Sequence, residues 1–461
     1  MQAHHEFSPK FLPFHITPQK LTSASGLQVL LEAFEVSKLK EPFSKCLPER
    51  SLHRSQGAYR LGLIQVASFL RGHDCLADLE EFRKDPALTQ VMRGETVAPR
   101  TMGDFLRDFE ASHLVKFNEF LSKQAKAYRV QLEKMLKKQF KPSLAPHLSI
   151  DSTSHVQHGL KMEGVAYNYK DEWCLDSQVI FDELGMCWDL ELRSGNTKSG
   201  VGAEEQILRA FSSYKFKDEK YLSADAAYCH QGVITTCISV GASFTLTANQ
   251  ATTSWEDHIS EITKWEPWQY SEDEIKQARA SGQRLPPIEL GRFYWQPSWN
   301  PALRLPVVVK RMPYESEEQL SLLKPSEFKY YGVVTNLPLM SWSLQAVIEH
   351  HNKRGNAENF IREEKHGYDL KHFPCLEMKA NHAFGLLAMV AHNILRWVAI
   401  HDNPSRPRFS KALRRRFIEI PGIVVSHARL LVLKISKAAY EEVNRLREAL
   451  ELKPYPPLST A

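Results

Sequence analysis

Cysteine is sparse in this chain: seven residues among 461, odd in number and never spaced as CxxC. That scatter argues against a disulfide framework and a thiolate zinc site, and leaves reduced structural thiols. No apolar run reaches the ~18 residues that a membrane span needs. The longest candidate, Phe384 to Ile400, is interrupted by His392, Asn393 and Arg396. The N-terminus has no basic stretch followed by an apolar one, so a secretory signal is not expected, and a cytoplasmic protein without membrane contact is the default. There is no GxSxG, which leaves serine nucleophilic catalysis without a supporting motif. Fixed-period repeats and low-complexity tracts are also missing. What remains is globular composition, 43% hydrophobic and 25% charged, on a chain long enough for two or three domains.

The net charge is only +5, but it is unevenly spread. Lys116 to Lys141 holds eight Lys or Arg against Glu119 and Glu133, a local +6; Arg406 to Lys437 holds nine against Glu419 alone, a local +8. Each run fits either a solvated helix face or a surface for a polyanion such as DNA. Arg414, Arg415 and Arg416 form the densest part of the second run.

Residues 1–145 carry helical periodicity: Leu61, Ile64, Ala67 and Leu70 at three-residue steps, then Leu106, Phe109, Leu114, Phe117 and Phe120. Short helices before a long basic one suit a DNA-end-binding module and a plain helical cap equally well. The texture changes at Pro142 and Pro146. From 147 to 249 the pattern fits the order β, β, β, α, β, α, β. Residues 251–330 hold five tryptophans and several prolines, with strand-like runs at RFYWQ and RLPVVVKRM, the pattern of an inserted β-rich subdomain. YYGVVTNLP fits a strand returning to the core. A helix capped by Ser341 or Ser343 follows, and the remainder to 461 reads as helical.

Two aspartates stand at or near the ends of similar apolar strands: Asp151 after HLSI and Asp225 after YLSA. A carboxylate there is costly to bury unless paired or bound to metal. On one continuous helix through HHNKRGNAENFIREEK, His351, Arg354, Glu358, Arg362 and Lys365 fall within an arc of about 80°. Gly355 inside such a helix costs ~1 kcal/mol against Ala, a cost that a close backbone approach would explain. The bland alternative is a solvated face with Glu358–Arg362 and Arg354–Glu358 pairs. Three carboxylates with open coordination suit two Mg²⁺ ions ~3.5–4 Å apart, with Mn²⁺ as the substitute, and the neighbouring cations suit phosphate oxygens.

The spacing Arg354-x3-Glu358-x6-Lys365 resembles the end of the Y-x2-R-x3-E-x6-K signature of bacterial insertion-sequence DDE transposases, the YREK group. IDSTSH and LSADAAY sit where that group carries its first and second aspartates, and RGHDCLADLEEFRKDPAL and KRGNAENFIREEKHGYDLKHFPC are similar to family text. The chain departs at the tyrosine position, which is His351. The resemblance implies an α/β, RNase H-like catalytic core over 146–250 and 331–375, interrupted by a β-rich subdomain at 251–330. A helical DNA-end-binding region at 1–145 would precede it, and a helical region at 376–461 would follow. It further implies a catalytic, metal-binding triad of Asp151, Asp225 and Glu358. Arg354 and Lys365 would lie against phosphates near the cleaved end, with His351 and Arg362 on the same DNA-facing side. The implied reaction is 3′-end cleavage and strand transfer of an insertion sequence, performed on terminal repeats and target DNA by a homodimer. A nuclease that cannot join strands would share the triad; a non-catalytic DNA-binding descendant would be expected to have lost part of it. The pair His155-x-x-His158 lacks the Glu of HExxH and offers little as a zinc site.

Overall fold

The computed structural model describes residues 16–50, 57–94, 96–136, 145–159, 161–314, 328–427 and 430–456. After β1 (Lys20–Thr22) come the helices α1 (Leu27–Glu35), α2 (Lys40–Cys46) and α3 (Ala58–Arg71). Then follow α4 (Leu79–Lys84), α5 (Pro86–Val91), α6 (Pro99–Arg107) and the long α7 (Ala111–Leu136). α7 turns Leu114, Phe117, Phe120, Leu121 and Tyr128 inward, the face its periodicity marks out.

The central sheet begins with β2 (His147–Val156), β3 (Ala166–Tyr167), β4 (Trp173–Asp182) and β5 (Cys187–Ser194). α8 (Ala203–Phe211) leads to β6 (Tyr221–Ala224), and α9 (Gln231–Val240) to β7 (Ser243–Thr247). β5, β4 and β2 pair antiparallel, whereas β2, β6 and β7 run parallel. Three antiparallel strands followed by two parallel ones, each entered through a helix, is the RNase H-like order.

The insertion contributes α10 (Gln250–Thr253), β8 (Glu266–Pro267), α11 (Glu272–Ser281), β9 (Glu289–Trp295) and β10 (Leu305–Pro313). Its strands do not form a sheet of their own. β10 pairs with the returning β11 (Phe328–Thr335), and β11 pairs with β7, so one ten-stranded sheet continues from core into insertion.

Ser343 caps α12 (Leu344–Asn352), its hydroxyl accepting the Ala346 N–H at 3.1 Å. The chain then breaks at Lys353–Arg354 and restarts as α13 (Gly355–Gly367). Two helices therefore replace the single one that the spacing argument assumed. Gly355 opens α13, and a side chain there would meet nothing within 4 Å, so close backbone approach is not its explanation.

α14 (Met378–Asp402) is long and apolar enough to cross a membrane by composition, but 94% of its apolar window is buried inside the protein. Its polar residues serve the exposed edge of β5. Asn393 bonds both the N–H and the carbonyl of Cys187, at 2.7 and 2.9 Å, and His392 Nε2 lies 2.8 Å from the Gly185 carbonyl. From α7, Asn118 does the same for Leu190, at 2.9 and 3.0 Å, and Ser122 donates to the Trp188 carbonyl. An edge strand inside a protein needs such partners.

The region after 376 is not helical throughout. Between α15 (Ser410–Leu413) and α16 (Lys437–Ala449) lie the strands β12 (Gly422–His427) and β13 (Leu430–Lys434). β12 also pairs with β1, so opposite ends of the chain share a three-stranded sheet. GIVVSH and LLVLK, two aliphatic runs two residues apart in the sequence, carry the hairpin signal that the basic charge obscured. All seven cysteines are free thiols.

Candidate active site

Asp151 lies within β2, and Asp225 follows β6 as the cap of the turn Ala226–Tyr228. The parallel pairing of Leu148 with Leu222 and Ser149 with Ser223 continues to bring Asp151 level with Asp225. Adjacent strands lie about 4.8 Å apart, so the two half-buried carboxylates are neighbours. One oxygen of each is held by a local N–H: Ser152 for Asp151 at 2.8 Å, Ala227 for Asp225 at 2.9 Å.

Glu358 sits exposed in the first turn of α13. Its charge reaches Asp151, whose acid is pushed up to about 6. Burial is the largest cause; Asp225 and Glu358 push the same way, while the Ser152 N–H and Arg354 push back. Among the described residues none of the three carboxylates has a Lys or Arg within 4 Å. Their oxygens are not gathered as tightly as a single-ion cage: among the described residues the one such group of three, within 4.8 Å, is Asp74, Cys75 and Asp78 elsewhere on the surface. Two half-buried carboxylates and an exposed third, none in an ion pair among the described residues, nevertheless offer the oxygen donors that hard divalent cations take.

The surrounding cations divide. Arg354 caps α13 half-exposed and Arg362 is exposed, both free of ion pairs among the described residues. Lys365 turns inward, donating at 2.7 Å to the Ser154 carbonyl, three residues past Asp151 on β2.

Three expected DNA contacts need correction. His351 is fully buried: Nε2 lies 2.9 Å from the Tyr331 hydroxyl and 3.1 Å from Thr247 Oγ1, and Nδ1 is 3.1 Å from Thr245 Oγ1. Arg414 is also buried, donating to the carbonyls of Phe69, Leu70 and Gly367 at 2.8, 3.1 and 2.8 Å. It staples α3 to the end of α13. Arg416 is occupied by Asp402 at 2.8 Å and by Glu442. Arg415 alone of that triplet is exposed.

Asp176, on β4, belongs to no motif in the sequence. It is buried against Arg193, whose Nε donates at 2.7 Å, and its acid is pushed up to about 6 by burial, with Asp151 adding to the rise. A charged residue inside the apolar run WCLDSQVIF was the available signal. His155 is buried against Ser177 Oγ at 2.7 Å and belongs to no metal cluster among the described residues.

The model of the family described as Transposase DDE domain group 1 matches residues 11–454. Among solved structures the chain is similar to "Crystal structure of a pre-cleavage Mos1 transpososome", at 12% identity and TM-score 0.17, over 37% of this chain and 58% of that one. It is also similar to "Mos1 transposase paired-end complex with left transposon end", at 13% identity and TM-score 0.16, over 37% and 57%. The chain thus spans under two thirds of either neighbour's length. No curated protein matches it.

Proposed function

Because this chain belongs to the family described as Transposase DDE domain group 1, we propose that it cleaves the 3′ ends of an insertion sequence and transfers them into target DNA. The observation that carries the reading is the parallel register of β2 and β6, which sets Asp151 beside Asp225, with Glu358 and Arg354 near enough to act on the Asp151 charge. Neighbouring carboxylates with no ion-pair partner among the described residues repel one another, and divalent cations relieve that repulsion. Two such ions, Mg²⁺ or Mn²⁺, when bound would activate a water or 3′ hydroxyl and stabilise the leaving oxygen. Asp151, Asp225 and Glu358 are the residues that would hold them.

Arg354, half-exposed, and Arg362, exposed, both free of carboxylate partners among the described residues, would grip phosphate oxygens. Lys365 acts differently from the phosphate contact its position in the signature implied: it fixes β2 through the Ser154 carbonyl and so orients Asp151. The partners on this reading are duplex element ends and target DNA, bridged by a homodimer.

Glu358→Gln tests it, keeping size and helix propensity while removing the charge that holds metal. Mg²⁺-dependent nicking of labelled DNA from the flanks of the reading frame should vanish, while gel-shift binding of the same fragment persists or improves. Wild-type nicking by Glu358→Gln would reduce Glu358 to a surface residue and end the proposal. A joining assay with wild-type protein separates strand transfer from cleavage alone.

A further inference from the structure

A pocket of about 250 Å³ opens between the outer ends of β10 and β11 and the last turn of α12. Lys310, Met312, Lys329, Tyr330, Tyr331 and Asn352 line it. The register explains the grouping. Lys310 pairs with Tyr331 and Met312 with Lys329, so these four share one face of the hairpin and the two lysines are diagonal neighbours. Val308, two residues before Lys310, belongs to the cluster that also contains Val347 and Ile348 of α12, so this face turns towards that helix.

Neither ammonium forms an ion pair or bonds to a carboxylate among the described residues. Lys310 is half-buried, with its ammonium 5.8 Å from the centre of the Trp268 ring. Burial and the Lys329 charge both push its pKa down. Among the described residues, the half-buried Lys310 and the exposed Lys329 repel each other with no carboxylate between them.

The pocket lies on the same rim of the sheet as the carboxylates. Ala224 is level with Leu246, Leu246 with Val334, and Val334 with Val307. Lys310 therefore projects past the rim three strands from Asp225, about 15 Å away by ordinary strand spacing and rise. That distance equals four or five nucleotide steps, at roughly 3.4 Å each. The turn Asn352–Arg354 joins pocket and site directly.

We propose that this pocket seats a backbone phosphodiester of the DNA strand lying several nucleotides from the catalytic carboxylates, with Lys310 and Lys329 as its charge partners. The inference rests on the DNA-processing reading above, and the aromatic walls suit the attached sugar or base.

The test uses the full chain and a duplex of about 40 base pairs of arbitrary sequence, titrated at several salt concentrations without divalent metal. Lys310→Gln/Lys329→Gln should weaken binding about ten-fold and lower the salt slope by about 0.9 per lost contact. Arginine at both positions should restore both values. Lys276→Gln, on the exposed face of α11, should change neither. If the double variant folds poorly, the exposed Lys329→Gln alone should lower the slope. An unchanged slope in variants that melt like wild type overturns the proposal. So does stabilisation of wild type, but not of the double variant, by a free deoxynucleoside monophosphate, which would make the pocket a nucleotide site. Mg²⁺-dependent nicking by wild type is read separately. Nicking with an unchanged slope removes the pocket and keeps the catalytic reading; a lowered slope without nicking does the reverse.

Discussion

His351 stands at the position where the family signature carries a tyrosine, and its surroundings assign it to packing. Burial, with Arg354 adding, pushes its pKa down to about 3, so the ring is neutral and bonds Tyr331, Thr247 and Thr245. These bonds tie α12 to β7 and β11 just before the turn that presents Arg354. His351→Ala should therefore lower stability by roughly 1–3 kcal/mol, the price of leaving buried polar partners unsatisfied. Denaturant unfolding measures that loss, and the salt slope of DNA binding should stay as in wild type. A variant of native stability with a flattened slope would return His351 to the DNA side. Spacing alone misplaced this residue because a shared arc does not tell which of its members the sheet covers, and His351 lies against β7 and β11. Nothing in NKRGNA announces the break strongly, although Gly355 beside Asn352 and Asn356 is the composition of a helix end.

Helices and strands were legible where the pattern is local, and less so where partners lie far apart in the chain. Alternation and strand-end aspartates fix the order from β2 to β7, but no local signal tells β10 to extend the core sheet. The polar residues of α14 look like interruptions of an apolar run and are instead the bonds that close the edge of β5. Asn393→Ala leaves two buried backbone groups of Cys187 unpaired and should cost about 1–3 kcal/mol in denaturant unfolding. A loss no larger than that of a surface substitution would show that β5 needs no such cover.

Between α13 and the sheet runs another buried chain, with His155 Nε2 2.7 Å from Ser177 Oγ, which donates to Glu364 at 3.2 Å. Burial pushes Glu364 up to about 7 and His155 down to about 3, so their 3.8 Å approach is neutral rather than an ion pair below pH 7. The unfolded carboxyl ionises near its ordinary value of 4.5. Folding therefore retains a proton between about 4.5 and 7, and the stability this supplies is complete below the lower value and lost as pH rises through the upper. Glu364→Gln cannot ionise, so it should gain on wild type as pH rises from about 5 to 8, by up to ~3 kcal/mol. A stability difference that is flat across that range would mean Glu364 is already ionised at low pH.

Across the whole molecule, linear charge counts overstate the surface available to DNA. In the run from Lys116, Arg129 is buried among Glu133, Asp182 and Glu183, and Lys126 donates to the Ser213 carbonyl; Lys137, Lys138 and Lys141 lie outside the described residues. In the run from Arg406, Arg414 points inward, Arg416 is held by two carboxylates, and Arg429 lies outside the described residues. Folding thus sorts a sequence block into staples, ion pairs and free cations, a division that charge counting cannot make. The triplet 414–416 offers a clean separation of these roles. Arg415→Gln removes an exposed charge and should lower the salt slope of DNA binding by about 0.9 if it meets one phosphate, with little change in unfolding. Arg414→Gln should leave the slope alone and lower stability by several kcal/mol, because three backbone carbonyls and the face of Tyr368 lose their partner. Arg416→Gln should sit between them, leaving the largely buried carboxylates of Asp402 and Glu442 without their cation at a cost of about 1–3 kcal/mol. Parallel salt titrations and urea melts on the three variants read both quantities at once. If Arg414→Gln flattens the slope at native stability, or Arg415→Gln leaves it steep, the contact belongs to a different face from the one this fold exposes.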